Sequence, residues 1–325
     1  MIERPSPEEL DRLATAIPPG VHFGTSTWNY PGWTGLVYQK PYPASGAAGR
    51  MLAEYAKFPL FSTVGIDASF YGPPKPSTLD NWARALPNGF RCVSKVWERI
   101  TVHTWASPRE PARHGQPNPD FLNPQLFIDE VWSPMQAHFG DHTGPFVFEF
   151  QTIGQESRVT PARFAEQLDG FFARLPREGQ YSVEIRNEEF LCPAYFAVLR
   201  EHDVAHLFNS WTRMPPMGEQ LDLAGSVTAR FLVARALLRP GTSYSDAVDQ
   251  FAPYDRIRAA YPPLRRDLVR LARTAAALRI PAYLLVNNRA EGSAPLTIAA
   301  VAAMLAEGDS SGGNPGPAPP SPGTG

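Results

Sequence analysis

Cysteine is nearly absent from this chain of 325 residues, which contains only Cys92 and Cys192. Neither has the spacing of a metal-binding or redox motif, so both are predicted to be reduced and structural. Long apolar runs are also absent, which argues against a membrane-spanning helix. The acidic, polar first residues lack the basic start and apolar core of a signal peptide. We therefore expect a soluble, cytoplasmic protein with no membrane partner.

The chain also lacks a strong excess of charge, because 30 Lys and Arg residues face 32 Asp and Glu residues, for a net charge of −2. This balance provides no general attraction to nucleic acid or anionic membranes, although it is compatible with a local basic cleft. Walker-type lysine loops, nucleophile-elbow serines and His-Glu-x-x-His zinc motifs are all missing. The sequence therefore does not place the protein in the classes that these motifs mark.

Strand-like and helix-like segments alternate through most of the sequence, in which 43% of the residues are hydrophobic. Eight strands are predicted: Val21–Trp28, Thr63–Tyr71, Phe90–Trp97, Pro145–Gln151, Tyr181–Asn187, Val204–Trp211, Ser226–Ala234 and Ala282–Asn287. The predicted helices are Pro7–Ile17, Ala47–Lys57, Ser77–Leu86, Pro124–Phe139, Thr160–Leu175, Pro193–His202, a short helix around Met217, Pro262–Leu278 and Pro295–Leu305. This alternation predicts an α/β protein with a (β/α)8 TIM-barrel fold.

The predicted barrel is a single domain over residues 21–307. Residues 1–20 are expected to form a helical extension, and the Gly, Pro and Ser residues at 308–325 a disordered tail. Two long segments interrupt the alternation, Glu98–Asn123 after strand three and Arg235–Tyr261 after strand seven. Long loops at a barrel mouth are often functional, so the second segment is a candidate lid, with an ordinary surface loop as the alternative.

The stretch Tyr181–Asn187 carries two charges, whereas a strand buried on both faces is usually apolar. Glu184 and Arg186 are two residues apart, so their side chains point to one face of the strand. Such charges require each other, a ligand or a polar pocket at the end of the strand. Two hypotheses follow: a structural ion pair, or the centre of a functional site in which Arg186 keeps Glu184 ionised.

In a (β/α)8 barrel the catalytic side chains lie at the carboxyl ends of the strands, and polar residues gather there in this sequence. We predict that Glu184 acts with Arg186, supported by Glu149 as acid or base and Lys95 as electrostatic stabiliser. The residues predicted to bind and orient the ligand are Trp28, Tyr30, Asp67, Tyr71, Asn209, Trp211, Arg230, Asn287 and Asn288. For each aromatic ring, packing beneath the loops is the alternative.

These residues resemble the YecE-like family, also called domain of unknown function 72. The resemblance runs from about Val21 to Leu305. It rests on short motifs in a common order: Gly24-Thr25-Ser26-Thr27-Trp28 with Tyr30 and Trp33, Ala68-Ser69-Phe70-Tyr71 with Pro76, Thr78 and Trp82, Gly89-Phe90 with Ser94-Lys95, Val183-Glu184-Ile185-Arg186-Asn187, and Asn287-Asn288. It implies a TIM barrel, in agreement with the strand count, and it implies no established reaction.

Three features depart from the pattern of that family. Strand four reads Phe148-Glu149-Phe150-Gln151, where the family has a run rich in leucine and glutamine. In strand seven the family usually has Arg-x-His-Gly, whereas Arg230 is followed here by Phe231-Leu232-Val233, so any role of that histidine is absent. The segment Glu98–Asn123 is also longer than the resemblance leads us to expect.

Acid/base and metal chemistry both fit the predicted site in part. Glu149 and Glu184 end adjacent strands about 4.8 Å apart, close to the carboxylate separation of about 5–5.5 Å in retaining glycosidases, but an ionised Glu184 is a poor acid. Together with Asp67 they can supply oxygen ligands to one divalent cation such as Mg²⁺. His206 is expected to be a core residue, and the histidines do not suit a multinuclear zinc site. No organic cofactor is implied.

Anion recognition is the third option, because Lys95, Arg186 and Arg230 supply donors beside aromatic rings that can stack on a ligand. We therefore expect an enzyme of hydrolase or acid/base type, with no assigned reaction, whose partner is a small polar ligand that is anionic, phosphorylated or sugar-like. The alternative is a nucleic-acid-binding or phosphodiester-cleaving protein related to endonuclease IV-type barrels, which the charge balance disfavours.

Overall fold

The computed structural model describes residues 4–310 of the chain, except residues 44, 106–110 and 243. The strands in this part of the chain are β1 (Val21–Thr25), β2 (Thr63–Ile66), β3 (Arg91–Lys95), β4 (Thr143–Phe150), β5 (Tyr181–Ile185), β6 (Ala205–Asn209), β7 (Leu232–Ala236) and β8 (Ala282–Val286). They are parallel, and hydrogen-bonded neighbours follow the order β1-β8-β7-β6-β5-β4-β3-β2. The predicted (β/α)8 barrel is confirmed.

The α-helices of the described residues are α1 (Pro7–Thr15), α2 (Ala48–Tyr55), α3 (Pro76–Ala83), α4 (Glu98–Thr101), α5 (Pro124–Phe127), α6 (Ser133–Phe139), α7 (Pro161–Phe172), α8 (Pro193–Glu201), α9 (Met217–Asp222), α10 (Tyr244–Phe251), α11 (Pro262–Leu278) and α12 (Ala294–Ser310). Helices α1, α3, α5, α7, α8 and α11 begin at a proline, whose fixed φ suits the first turn and whose missing N–H loses no hydrogen bond there. Side chains of Ser6, Asn123 and Thr160 cap three of these helices.

Most strands end earlier than predicted, because the chain turns at the barrel mouth. After β2, residues Asp67–Tyr71 form a 3-10 turn in which the Ser69 hydroxyl donates to the carbonyl of Lys95 over 2.6 Å. The helix predicted over Pro124–Phe139 is interrupted by a π-helical turn at Ile128–Trp132. At the other end of the chain, α12 packs against α1 and runs to Ser310, and the rest of the predicted tail, residues 311–325, lies outside the described residues.

The lower part of the barrel interior is apolar. Alternate strand residues point inward and form one buried cluster: Val93, Val147, Ala205, Leu207, Phe231, Val233, Tyr283 and Leu285. A larger apolar cluster fills the space between the strands and the surrounding helices. The barrel centre is therefore packed with side chains, as expected for eight strands. No helix of the described residues is long and apolar enough to cross a membrane.

Two glycines allow β1 and β2 to meet where the barrel closes. The N–H of Ser62 donates to the carbonyl of Phe23 over 3.0 Å across this junction. A Cβ atom on Gly24 would overlap the carbonyl oxygen of Thr63, and one on Gly65 would lie 2.7 Å from the carbonyl oxygen of Ser26. Since any side chain would push the strands apart, glycine is required at both positions.

The predicted long segments after β3 and β7 are both present. In the first, the buried side chain of Asn118 donates to the carbonyls of Arg99 and Val102 over 2.8 and 2.7 Å and ties the described part of the segment to itself. In the second, Leu237 and Leu238 pack with Phe251 into a small apolar cluster that Trp211 joins. The second segment is therefore a packed wall beside the barrel mouth.

The loop after β8 holds this wall in place through Glu291. The Glu291 carboxylate is fully buried and accepts hydrogen bonds from Arg265 Nε (3.0 Å), from Thr297 Oγ1 (2.8 Å) and from the N–H of Tyr261. Its carbonyl accepts a further bond from the N–H of Arg258 (2.8 Å). The chain just before α11 is thus fastened to the loop that precedes α12.

Candidate functional site

Four strands carry a charged residue at the inward position directly above the apolar layer. Glu149 and Glu184 are register partners on β4 and β5, and each follows an inward residue by two positions. Lys95 ends β3 in the same way, two residues after Val93. Arg235 lies two residues after Val233 on β7. Side chains two apart on a strand point to the same face, so the Arg235 guanidinium lies above Val233 at the barrel mouth.

Arg235 joins three carboxylates. Its Nη1 lies 2.5 Å from Glu184 Oε2 and 3.1 Å from Glu149 Oε2. Its Nη2 donates to both carboxylate oxygens of Asp67, over 3.0 and 2.8 Å. Burial disfavours the charged form of Arg235, but the surrounding carboxylates, Asp67 first, outweigh it and raise the pKa of the guanidinium above its ordinary value. Arg235 is therefore a permanent cation.

Glu149 is surrounded by positive charge. Lys95 Nζ lies 2.6 Å from Glu149 Oε2, and Arg186 Nη2 lies 2.8 Å from Glu149 Oε1. Burial opposes ionisation of Glu149. The charges of Arg186, Lys95 and Arg235, in that order, outweigh burial and hold the pKa of this carboxyl well below its ordinary value of 4.5. Glu149 is thus ionised at neutral pH and unsuited to donate a proton.

The six charged side chains divide by exposure into a buried layer and a layer that faces solvent. Glu184, Glu149 and Arg235 have exposed side-chain fractions of 0%, 2% and 3%. The corresponding values are 28% for Asp67, 13% for Arg186 and 10% for Lys95. Asp67, Arg186 and Lys95 are therefore the members of the network that are most open to solvent, and the other three lie deeper.

Aromatic rings fix the two cations that face solvent. The Arg186 guanidinium carbon lies 3.8 Å from the centroid of the Trp211 ring, and Lys95 Nζ lies 4.0 Å from that of Phe70. Arg186 also bonds Glu184 over 3.3 Å, which restrains its orientation further. Such stacking adds to the ion pairs and leaves less freedom for each charged group. The cations are thereby oriented before any ligand arrives.

These side chains surround a cavity of about 320 Å³ at the carboxyl end of the barrel. This volume suits a small-molecule ligand. The residues that line it are Thr27, Tyr30, Asp67, Ala68, Phe70, Tyr71, Lys95, Glu149, Gln151, Arg186, Trp211, Arg235, Leu237, Leu238, Asn287 and Arg289. The cavity thus combines ionised groups on its floor with aromatic rings and amides on its sides.

The structure brings most of the predicted site residues together at this cavity. Those that line it are Lys95, Glu149, Arg186, Tyr30, Asp67, Tyr71, Trp211 and Asn287. Glu184 lies directly beneath, bound to Arg186 and Arg235. The same-face geometry predicted for Glu184 and Arg186 is therefore present, and the ion-pair hypothesis and the site hypothesis both describe part of one network.

Three predicted ligand contacts are buried behind the cavity and serve the backbone. Trp28 donates from Nε1 to the carbonyl of Ala48 over 2.9 Å and packs edge-on against Trp82. Asn209 donates to the carbonyl of Ile185 (3.1 Å) and accepts the N–H of Trp211 (3.1 Å). Asn288 accepts the N–H of Ala294 (2.8 Å) and caps α12. The atoms that bond backbone groups in this way are occupied already, whereas the buried Nδ2 of Asn288 has no hydrogen-bond partner among the described residues.

The prediction that Arg230 binds the ligand is corrected, because this residue lies outside the site. It precedes β7 at the opposite end of the barrel, where its side chain is 89% exposed and bonds Asp203 over 2.7 Å. The prediction of a strand over Ser226–Ala234 was wrong because Thr228 is used elsewhere: its hydroxyl donates to the carbonyl of Val204 (2.6 Å) and accepts the N–H of His206 (2.7 Å). The strand begins only at Leu232.

Arg235 is the arginine of the charge network that the sequence analysis missed. The available signal was a single charge within the apolar run from Phe231 to Leu238. In the corrected strand, Arg235 is followed by Ala236-Leu237-Leu238, so the histidine that the family resemblance leads us to expect two residues after the arginine is absent at this position too.

The oxygen atoms considered for a divalent cation are engaged by side-chain cations. Asp67 and Glu184 bind guanidinium groups, and Glu149 binds both guanidinium groups and the Lys95 ammonium. Among the described residues, no group of three or more His, Cys, Asp and Glu side chains is arranged to hold a metal ion. His206 is buried on the helix-facing side, bonded to Tyr195, and burial lowers its pKa to about 3, so it is neutral.

Comparison with known proteins gives a family and a fold. Residues 22–321 match the family described as protein of unknown function DUF72. A solved DUF72 family protein from Thermotoga maritima MSB8 is similar, with 16% identity, a TM-score of 0.60, and coverage of 88% of this chain and 99% of that chain. A second from Enterococcus faecalis V583 has 15% identity, a TM-score of 0.58, and coverage of 88% and 95%. No curated protein matches the chain.

Proposed function

Because the chain belongs to the DUF72 family, whose members share no assigned reaction, we propose from the site itself that the protein is an enzyme acting on a small polar ligand with an anionic group. The observation that carries this proposal is the convergence of Asp67, Lys95 and Arg186 on one cavity at the carboxyl end of the barrel. Catalytic groups of (β/α)8 enzymes lie at this end.

Each of these three side chains has a role suited to its surroundings. Lys95 and Arg186 are cations at the cavity surface, so they bind the anionic group of the ligand and stabilise negative charge during the reaction. Asp67 is the most exposed of the three carboxylates and is the candidate acid or base. Glu149, held ionised, and Glu184, fully buried, are assigned the task of orienting the cations.

The ring of Trp211 supports a ligand with an apolar face. It contacts Arg186 and the apolar cluster of the wall, so its position is fixed, and the ring also lines the cavity. A sugar or another ring that carries an anionic group could contact the indole and the guanidinium together. This combination favours a sugar-like ligand over a simple inorganic anion.

A thermal-shift screen with two matched variants tests the proposal. Ligands that bind only the folded state raise its melting temperature. The screen contains sugar acids, sugar phosphates, nucleotides, short oligonucleotides and divalent metal ions, tested on wild type, Arg186→Gln and Arg230→Gln. We expect a small anionic ligand to stabilise wild type and Arg230→Gln but not Arg186→Gln, because only Arg186 lines the cavity.

Two results would contradict this function. An equal shift in all three proteins would place the ligand elsewhere on the molecule. Stabilisation by oligonucleotides alone, fading as salt is added, would favour the nucleic-acid alternative, since binding to a phosphate backbone weakens steeply with salt.

A further inference from the structure

The charge network at the mouth has no excess positive charge. Three cations, Lys95, Arg186 and Arg235, face the carboxylates of Asp67, Glu149 and Glu184, so the formal charges within the network cancel. Arg289, which also lines the cavity, adds one formal positive charge, and a singly charged anionic group neutralises it. A dianion loses more hydration energy on burial than a monoanion does, and a balanced network does not offset that difference. Asp67, at the cavity surface, also repels the second charge. The network therefore favours a singly charged group.

The first two backbone N–H groups of the loop after β7, where (β/α)8 enzymes frequently bind phosphate, are already hydrogen-bonded. In such barrels the phosphate site is built from the loops after strands seven and eight and the N-terminus of a short helix. Here the N–H of Leu237 donates to Ser210 Oγ over 2.8 Å, and the N–H of Leu238 donates to the carbonyl of Ser210 over 3.2 Å. These two wall residues thus use their N–H groups within the fold.

The loop after β8 is occupied in the same way. The N–H of Arg289 donates to Asn287 Oδ1 over 3.0 Å, and the N–H of Ala290 donates to the carbonyl of Asn287 over 3.0 Å. At the start of α12, the N–H of Ala294 donates to Asn288 Oδ1. Helix N-termini bind phosphate through free N–H groups, and the first N–H of α12 is already used by this bond.

Side chains therefore supply the donors for the anionic group. Arg186 bonds Glu149 and Glu184 through Nη2, its Nε is buried without a hydrogen-bond partner among the described residues, and the guanidinium lines the cavity. Lys95 bonds Glu149 as Arg186 does, and it also lines the cavity. Two adjacent cationic side chains match the two oxygens of a carboxylate.

We infer that the ligand is a hydroxy monocarboxylate, such as a sugar acid, rather than a phosphate ester; this rests on the proposed function. Its carboxylate binds Arg186 and Lys95. Its hydroxyl groups donate to Asp67 and to the Gln151 amide oxygen, which both line the cavity. Its carbon skeleton lies against the Trp211 ring, as apolar sugar faces commonly do on aromatic side chains.

The test compares ligands that carry a carboxylate, a phosphate or no charge. Glucuronate, galacturonate and gluconate are measured beside glucose, glucose 6-phosphate and inorganic phosphate at equal ionic strength. Melting temperatures are recorded for wild type, Arg186→Gln and the distant control Arg230→Gln. We expect the sugar acids to raise the melting temperature of wild type and of Arg230→Gln more than glucose or either phosphate does, and to lose this effect in Arg186→Gln.

A second variant, Asp67→Asn, tests the charge argument directly. It gives the network one excess positive charge, so the shift produced by glucose 6-phosphate should increase relative to wild type. A larger shift with phosphates than with sugar acids in wild type, lost in Arg186→Gln, would overturn this inference and leave the proposed function standing. Shifts that are absent for both ligand classes, or unchanged in Arg186→Gln, would overturn the proposed function as well.

Discussion

Arg230 and Arg235 lie at opposite ends of β7 and show two ways in which this barrel uses an arginine. The Arg230 side chain is 89% exposed and bonds one carboxylate, Asp203, at the surface. The Arg235 side chain is 3% exposed and bonds three carboxylates. A surface pair contributes little to stability, whereas each buried ion loses its hydration and requires compensation from its partners.

This difference supports the proposal that the charges at the mouth bind a ligand. One step below Arg235, the inward position holds Val233 within an apolar cluster, so the barrel packs well without charge. Replacing buried ion pairs with apolar residues is often neutral or even stabilising. A barrel optimised for stability alone would continue the apolar packing to its mouth, and the charged layer is therefore consistent with ligand binding.

Arg235→Met is the variant for which we expect the largest loss of stability. Removing this guanidinium leaves buried carboxylates without their shared partner, so we expect the free energy of unfolding to fall by about 3–5 kcal/mol. Urea denaturation measures the change. Arg230→Met makes the same replacement at the exposed end of β7 and should leave the unfolding curve nearly unchanged. Equal losses in the two variants would show that the two ends do not differ as described.

A smaller loss in the free energy of unfolding is expected for Glu184→Gln. The amide keeps the shape of the side chain but weakens its charged bonds to Arg235 and Arg186, at a cost of about 1.5–3 kcal/mol. Glu188→Gln is the matched control, because Glu188 is exposed on the turn after β5. If both variants unfold at the wild-type denaturant concentration, the buried carboxylate does not support the network.

The pH dependence of stability gives a further test of the buried charges. The pKa of Glu149 is lowered in the folded state, so its contribution to stability is complete above its ordinary value of 4.5 and is lost as the pH falls toward the folded-state value. Between about pH 5 and about pH 3, wild type should lose stability more steeply than Glu149→Gln. Urea titrations across this range provide the slopes. Parallel slopes would mean that Glu149 is not held ionised by its neighbours.

The smallest effect concerns the stacked ring at the mouth. Trp211→Leu removes a cation–π contact with Arg186 at 3.8 Å, and this contact is worth about 0.5–2 kcal/mol. Trp97→Leu is the control, since Arg99 lies farther from that ring, at 5.3 Å. Denaturation should therefore separate the two variants modestly. A greater loss for Trp97→Leu would contradict the importance assigned to the Arg186 stack.

The fold and the centre of the network could be predicted because they follow from simple periodicities. Alternation of strands and helices indicated the barrel, and the two-residue repeat of a strand placed Glu184 and Arg186 on one face. Glu149 and Lys95 followed from the position of strand ends. These inferences depend on local pattern alone, which the sequence displays directly.

Whether the remaining predicted residues line the cavity depends on hydrogen bonds that the local sequence pattern does not reveal. Asn209, Asn287 and Asn288 all stand near strand ends and all bond backbone groups, yet of the three only Asn287 also lines the cavity. Arg235 was missed because Thr228, a residue type favoured in strands, bonds the backbone of the neighbouring strand instead of extending β7. Tertiary partners of this kind decide between a ligand contact and a structural role.

The long sequence separation of Asp67 and Arg235 sets an order for assembly during synthesis on the ribosome. They are 168 residues apart, and Glu149 and Glu184 both precede the arginine in the chain. A nascent chain that ends before β7 holds all three carboxylates but lacks the cation that joins them. Burying them at that stage is unfavourable. The charge network at the barrel mouth is therefore completed only after β7 has been made.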